Sequence, residues 1–210
     1  MAINRFSQST AQSAFPKFTN LWDGTTATSA FDCLGSVYIS TATSTITFSS
    51  IPQTYQHLQI RHIARNTNAS TSGNMYMRFN GDTGSNYVSH RLEGYNTAVG
   101  SSGGTTQAAF TVAGLMTGGS SIAGAYGMGV LDILDYTNTS KHKTIKTISG
   151  YDNNGNGSAG NDQGYINVNS GVWFKAGSGV TSDAVTSITI TINGGGNFDV
   201  YTRFSLYGVK

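Results

Sequence analysis

The sequence predicts an all-β protein: a two-sheet antiparallel β-sandwich, for which we expect a jelly-roll arrangement, with a barrel as the second choice. Apolar and polar residues alternate through many short segments, which is the period of a strand with one buried face. No segment carries a clear helical period of about 3.6 residues. Gly, Asn, Ser and Thr separate the segments at intervals of about ten residues, as in sandwiches and jelly rolls.

Composition agrees with this fold class. The chain has 210 residues, of which 27 are Gly and 2 are Pro; 10% are charged, and the net charge is +2. This length suits a single sandwich domain. Low charge together with many hydroxyl and amide residues predicts a turn-rich protein with a neutral surface.

Cys33 is the single cysteine, so no disulfide forms within the chain. We expect Cys33 to be a small buried apolar residue. Residues 1–20 lack the apolar core of a signal peptide, and no stretch reaches the length of a membrane span. These features predict synthesis in a cytoplasm and no membrane partner.

One basic cluster is present, formed by Lys141, His142, Lys143 and Lys146. A nucleic-acid footprint needs a sustained basic stripe, whereas this cluster is short and isolated. We therefore interpret it as a solvated strand end and expect no nucleic-acid partner.

Residues 1–24 differ from the rest, because large apolar residues stand alone among small polar ones and follow neither period. We predict an extended N-terminal arm over 1–24, lying along its own domain or a neighbouring subunit, and a single sandwich domain over 25–210. Aromatic side chains are effective anchors for such an arm. The predicted partner contacts are Phe6, Phe15, Phe18, Leu21 and Trp22.

The first half of the domain contains five predicted strands. Residues 36–40 and 45–48 form a predicted hairpin across a small polar turn. After a proline turn at 51–53, the next strand runs to Arg65 with Leu58 and Ile60 facing inward. The two following strands cover 74–80, where Met75, Met77 and Phe79 share one face, and 87–93.

In the second half, glycine-rich composition predicts loops at 99–107 and 117–124, with a strand at 108–116 between them. We expect Val130 and Leu134 to face inward from a long strand at 125–136. The remaining predicted segments are strands at 143–151, 165–169, 172–176, 185–192 and 198–209, and a loop at 152–164.

The loop beginning at Asp152 matches the opening of a calcium-binding loop, since Asp152, Asn154 and Asn156 supply oxygens at alternate positions and Gly157 permits a turn. The twelfth position is Gln163, where such loops carry a bidentate Glu. We therefore predict a polar surface loop and no metal.

Other short motifs lack the structural context that their chemistry needs. Residues 155–160 match a dinucleotide fingerprint without a following helix, and residues 100–104 match a nucleophile elbow inside a low-complexity loop. The histidines His57, His62, His90 and His142 have no metal-ligand spacing. We predict no catalytic residues, no metal and no cofactor.

Seven aromatic residues are candidates for a sugar-stacking platform, with cross-strand packing as the favoured interpretation. They are Tyr76, Tyr87, Tyr95, Tyr151, Tyr165, Trp173 and Tyr201.

Several motifs resemble those of small β-sandwich virion proteins of tailed bacteriophages. The resemblance spans about residues 45–95 and 185–210. Its motifs are Ile51-Pro52-Gln53 with Tyr55, Leu58-Gln59-Ile60-Arg61, Ala64-Arg65, Arg78-Phe79-Asn80-Gly81-Asp82, Asn86-Tyr87 and the closing Arg203-Phe204-Ser205-Leu206-Tyr207-Gly208-Val209. The resemblance implies a capsid decoration (cement) protein, a head fibre or a tail-fibre component, without choosing among them.

We expect a non-enzymatic virion protein that decorates the capsid, assembled as a homo-oligomer, a trimer, and bound to the major capsid protein or another virion protein. A tail-fibre or receptor-binding module that contacts host glycans is the second hypothesis. A carbohydrate-binding module or glycan-active enzyme is the third.

Overall fold

The computed structural model describes residues 30–111, 113–153, 164–174 and 182–210. The described chain is all-β and forms two packed antiparallel sheets, of eight and four strands, which confirms the predicted β-sandwich. Its strands are β1 Phe31–Tyr38, β2 Thr45–Phe48, β3 His57–Ala64, β4 Ser72–Phe79, β5 Tyr87–Tyr95, β6 Ala98–Gln107, β7 Leu115–Thr117, β8 Gly127–Leu134, β9 Lys143–Asp152, β10 Gly164–Trp173, β11 Ile188–Ile192 and β12 Arg203–Val209.

The larger sheet has the order β1-β12-β3-β8-β9-β10-β5-β6, and the smaller has the order β2-β11-β4-β7. Many strands that are consecutive in the chain therefore lie in different sheets. Examples are β1 and β2, β3 and β4, β7 and β8, and β11 and β12. Three pairs of consecutive strands, β5–β6, β8–β9 and β9–β10, are adjacent in the larger sheet, and β9, β10, β5 and β6 form its far side.

The apolar core lies between the small sheet and the β12-β3-β8 part of the large one. Alternate residues of β3, Leu58 and Ile60, are buried there, as the sequence predicts. From the small sheet, Met75, Met77 and Phe79 of β4 and the three isoleucines of β11 meet them. The period-two pattern thus places one face of each of these strands in the core.

An aromatic cluster closes the core at one end of β5 and β10. Tyr87, Phe110 and Trp173 are almost completely buried, and the Phe79 ring packs edge-on against Phe110 at 5.3 Å and against Trp173 at 5.6 Å. Trp173 Nε1 donates to Asp82 Oδ2 at 2.6 Å, which satisfies the buried indole.

The loop after β7 is fixed by a buried arginine. The Arg65 guanidinium donates to four backbone carbonyls, those of Gly119, Ser121, Ile122 and Ala125, at 2.8–3.1 Å. Its Nε also lies 3.5 Å from Asp199 Oδ2. One side chain therefore satisfies the polar backbone of an irregular segment.

Three strand predictions differ from the structure. Residues 36–40 and 45–48 do not form a hairpin, because β1 pairs with β12 and β2 pairs with β11. Residues 99–107, predicted as a loop, lie in edge strand β6, paired with β5. Residues 165–169 and 172–176 were expected to be separate, but the first and the start of the second belong to one continuous strand, β10.

Residues 108–116 also differ from the predicted strand. Only the short β7 and an isolated bridge between Phe110 and Met77 pair there among the described residues.

The expected facing of several side chains is wrong. In β8 the buried residues are Leu131 and Ile133, while Val130 and Leu134 lie on the outer face. Cys33 is exposed on β1, whose outer strand position leaves the thiol uncovered.

The basic cluster does not lie wholly in solvent, because Lys143 is fully buried. Its ammonium donates to the carbonyls of Asn138 and Lys141 and to the Ser182 hydroxyl. Burial lowers the pKa of Lys143, since removal from water disfavours the charged form. Lys143 therefore stabilises the turn before β9 through these hydrogen bonds and is not part of a basic surface.

Candidate interaction surface

The described residues do not assemble a metal site: no group of three or more His, Cys, Asp or Glu side chains lies close enough to hold an ion. Residues 100–104 lie in a strand and are not followed by a helix, so the elbow motif lacks its geometry. The calcium-like motif continues into residues 154–163, outside the described part of the chain.

The histidines are dispersed. His62 is buried, its Nε2 lies 3.2 Å from the carbonyl oxygen of Leu115, and burial lowers its pKa to about 4. His57 Nδ1 accepts a hydrogen bond from the backbone N–H of Asp135 at 2.9 Å. His90 is exposed on the outer face of β5. Each occupies a structural or surface position, and none of these three faces another.

The acidic residues form local pairs within the described chain. Asp132 accepts a hydrogen bond from Gln59 at 2.8 Å, and Asp135 pairs with Lys141 at 2.9 Å. Hydrogen bonding to Lys141 is the main reason that the pKa of Asp135 is lowered. These contacts organise the strand ends.

The arm residues Phe6, Phe15, Phe18, Leu21 and Trp22 lie outside the described residues, so their predicted contacts remain a prediction.

The most distinctive surface is a band of apolar side chains on the outer face of the large sheet. The register places Ile63, Met128 and Ile166 in one row across β3, β8 and β10. The adjacent row contains Val130, Ile148 and Val168 and continues to Leu92 of β5. With Val99 of β6, these eight residues form what we call the outer band: Ile63, Leu92, Val99, Met128, Val130, Ile148, Ile166 and Val168.

The outer band is exposed to an unusual degree. Seven of its members are between 40% and 78% exposed. Single exposed apolar residues are normal on a monomer, whereas seven contiguous large ones exposed to this degree form a patch of the kind that marks an interaction site. Because neighbouring strands lie about 4.8 Å apart, the band is about 24 Å wide across six strands.

The band contains a shallow groove, and Gly150 is one of its lining residues. Gly150 of β9 and Gly94 of β5 flank Ile166 in its row, so its side chain stands between positions without side chains. The groove, about 550 Å³, is lined mainly by Met128, Ile148 and Ile166. A partner side chain has room to enter beside Ile166.

Polar residues border the band. The row next to it contains Gln59, Asp132, Lys146, Ser170 and His90, one from each successive strand. An apolar centre with a polar rim is the usual composition of a protein–protein interface.

The opposite, inner face of the same strands is polar. In β10, Asn167 and Asn169 point inward and are buried, whereas Ile166 and Val168 point outward. In β9, Thr147 and Ser149 are likewise buried. Over these positions β9 and β10 reverse the usual orientation and turn apolar side chains to solvent, whereas Ile145 and Trp173 at the other end of the same strands face the core.

The predicted aromatic platform is divided by the structure. Tyr87 and Trp173, expected on the exposed side, are core residues, which supports the packing interpretation for them. Tyr95, Tyr165 and Tyr151 form a cross-strand ladder, with ring centroids 5.1 Å and 5.7 Å apart. Their rings pack mainly against one another.

Sequence reasoning missed the outer band, although the alternation in β10 and β9 contains it. Alternation identifies the two faces of these strands and does not tell which of them is covered. Comparison with family models, with curated proteins and with solved structures finds no match for this chain. Among the described residues, no helix is long and apolar enough to cross a membrane.

Proposed function

We propose that this chain is a non-enzymatic structural subunit that associates with further copies of itself through the outer band. In the setting that the sequence resemblance implies, it is a bacteriophage virion protein that decorates the capsid. The observation that carries the proposal is the reversed polarity of one half of β9 and β10, where polar side chains are buried and apolar ones are exposed. An apolar face of this size is unfavourable in water and becomes favourable when a partner covers it.

The area of the band favours a second copy as the partner. Stable interfaces bury about 800 Å² on each partner, and the band, which extends over six strands, offers a continuous surface for such an interface. Two flat sheet faces stack about 10 Å apart with interdigitated side chains. A band that crosses a flat sheet can therefore meet the same band of another copy.

The strand order supports the virion setting. We propose that β1-β12-β3-β8 and β2-β11-β4-β7 are the two sheets of a jelly roll, with β5–β6 and β9–β10 as insertions that widen one sheet. Jelly rolls are frequent among viral capsid and lectin domains. Fold alone does not define function, so the motif resemblance supplies the choice of a virion protein, with the major capsid protein as the expected second partner.

The self-association is tested by measuring the molar mass of the full chain in solution by light scattering. We expect an oligomer, and its mass distinguishes a pair from the trimer that the sequence predicts. The variant Ile148→Lys/Ile166→Lys places two charges in the band and should give a folded monomer, because both side chains are exposed in the single chain. Its melting temperature should fall only by the stabilisation that association gives the wild type and should not depend on concentration.

The matched control is Thr47→Lys, which adds a charge to the exposed face of β2 on the other sheet. It should leave the oligomer intact. A wild-type chain that stays monomeric at high concentration, or a double variant that associates as strongly as wild type, would contradict the proposal.

The virion setting is tested separately by quantitative mass spectrometry of purified phage particles. A decoration protein is present in numbers comparable with the capsid protein, whereas a fibre protein is present in few copies. Absence from particles would refute the virion role and leave the association measurement unaffected.

A further inference from the structure

We propose that an aromatic corner at the β1 end of the large sheet anchors the association of this chain with a second copy. The corner consists of Tyr38, at the end of β1, Arg203, at the start of β12, and Tyr201, in the turn that leads into β12. This inference rests on the proposed function, because the second copy is the partner in both. It goes further by naming the side chains that dominate the binding free energy.

Tyr201 holds a backbone conformation that its side chain disfavours. Its φ is +68°, and the N–H of Thr202 donates to the carbonyl of Asp199 at 3.3 Å, so Tyr201 is the third residue of a β-turn. A positive φ at this position is typical of a type II turn, where Gly or Asn usually stands. For a bulky residue such a φ is an outlier and carries strain. The other described non-glycine residues with a positive φ are all short, namely Ser50, Asn80, Asn96, Thr106 and Asp135.

Packing within the chain does not account for a tyrosine at this position. Tyr201 is 65% exposed, and its ring contacts that of Tyr38, itself 51% exposed, with centroids 6.4 Å apart. Other groups hold the turn: the N–H of Tyr201 donates to the carbonyl of Ile39 at 2.8 Å, and the Tyr126 hydroxyl donates to the carbonyl of Val200 at 2.9 Å. A strained backbone that presents an exposed ring points to a contact with a partner.

The register makes the aromatic corner continuous with the outer band. Tyr38 of β1 pairs with Arg203 of β12, and Arg203 pairs with Ile63 of β3. Ile63 pairs in turn with Met128 of β8, and both belong to the band. Corner and band together cross all eight strands of the large sheet, a distance of about 34 Å. A second copy that covers the band along this row therefore meets the corner as well.

The side chains of the corner are those of an interface hot spot. Tyr and Arg are enriched among the residues that contribute most to binding. The guanidinium carbon of Arg203 lies 5.5 Å from the centre of the Tyr38 ring, and this cation–π contact holds both side chains in place. A Tyr side chain also loses little conformational entropy when a partner covers it. The corner is thus ordered before binding, which lowers the entropic cost of association.

The test measures two quantities that the proposal moves in opposite directions. Tyr201→Asn removes the ring and places a residue that accepts the left-handed backbone. In analytical ultracentrifugation of the full chain, we expect the dissociation constant of this variant to rise at least tenfold over that of wild type. In the monomeric Ile148→Lys/Ile166→Lys background, the same change should raise the melting temperature by about 2–4 °C, because it relieves strain in the single chain.

Two further variants serve as controls. Tyr201→Phe keeps both the ring and the strained backbone, so it should associate as strongly as wild type. Tyr76→Asn removes a partly exposed tyrosine from β4, on the other side of the sandwich, and should leave the dissociation constant unchanged.

The outcomes separate this inference from the proposed function. A wild-type chain that stays monomeric refutes the association itself and the role of the corner with it. An oligomer whose dissociation constant is the same in wild type and Tyr201→Asn refutes the role of the corner alone, as does equal weakening by Tyr76→Asn. A lower melting temperature of Tyr201→Asn in the monomeric background would show that contacts within the chain retain the ring, and would also overturn the inference.

Discussion

His62 should make the stability of this protein depend on pH between neutrality and pH 4. Its ring is packed between Gly114 and Gly129, where a Cβ would fall 2.7 Å and 2.5 Å from His62 Cε1. It stacks on Phe204 at 5.7 Å, and its Nε2 meets the carbonyl of Leu115. These described contacts carry no charge, so burial dominates and lowers the pKa from 6.5 to about 4.

The sign follows from proton uptake. Between pH 6.5 and 4 the unfolded chain binds a proton at this histidine that the folded chain does not, so acid favours unfolding. Above pH 6.5 the contribution is fully present, and it is lost as the pH falls toward the folded pKa. The shift corresponds to a loss of about 2 kcal/mol at pH 5 and about 3 kcal/mol at pH 4.

The assay is urea unfolding of wild type and His62→Gln at several pH values. Gln keeps a donor for the Leu115 carbonyl and does not titrate, so the variant is less stable at pH 7 and the gap should narrow by about 3 kcal/mol at pH 4. Carboxylates titrate in both chains and cancel in the difference. A gap that stays constant over this range would refute the argument, and His90→Gln, an exposed site, serves as the control.

Three further outcomes are expected from urea or thermal unfolding. Lys143→Met should destabilise the fold by about 1–3 kcal/mol, because two carbonyls lose a buried hydrogen-bond donor. It should also increase protease cleavage near residue 140. Unchanged cleavage would contradict the conclusion that Lys143 holds this turn in place. Arg65→Lys should lower the free energy of unfolding by about 2 kcal/mol or more, since an ammonium cannot reach four carbonyls as a guanidinium does. The control Arg78→Lys, on a partly exposed strand face, should lower it only slightly. Equal losses of stability in the two variants would contradict this prediction. Gly118→Ala places a Cβ 2.0 Å from the Ser70 carbonyl oxygen and should destabilise the fold by about 1–3 kcal/mol. Gly124→Ala meets no neighbouring atom but Gly124 has a φ of +79°, so this variant should destabilise the fold by about 1 kcal/mol. If Gly118→Ala does not change the stability, the segment moves aside and the prediction is contradicted.

The sequence predicts most strands because alternation is a local property. β3, β4, β9 and β11 lie close to their predicted positions. Composition was a poorer guide at β6, whose glycine and serine content is typical of a loop. The backbone hydrogen bonds to β5 stabilise that strand, and side-chain composition carries little information about such bonds. The sequence also does not show which strands pair with each other, because a short turn between β1 and β2 is compatible both with a hairpin and with a connection between the two sheets.

The candidate surface could not be located from the sequence for a related reason. Alternation shows which residues share a face, and it does not show which face is covered. For Leu58 and Ile60 of β3 the assumption that apolar residues face inward holds, since the small sheet lies over them, although Ile63 of the same strand faces outward. For β10 it fails, because Ile166 and Val168 face outward while Asn167 and Asn169 are enclosed.

The position of β12 constrains how the molecule is made. This strand follows all the others in the chain and yet lies between β1 and β3, holding both by hydrogen bonds. During synthesis, β1 therefore has no neighbour in its sheet until residues 203–209 have left the ribosome, and β3 lacks one of its two. Because β1 and one edge of β3 must wait unpaired for the last strand, completion of the large sheet is a late, non-local and comparatively slow event.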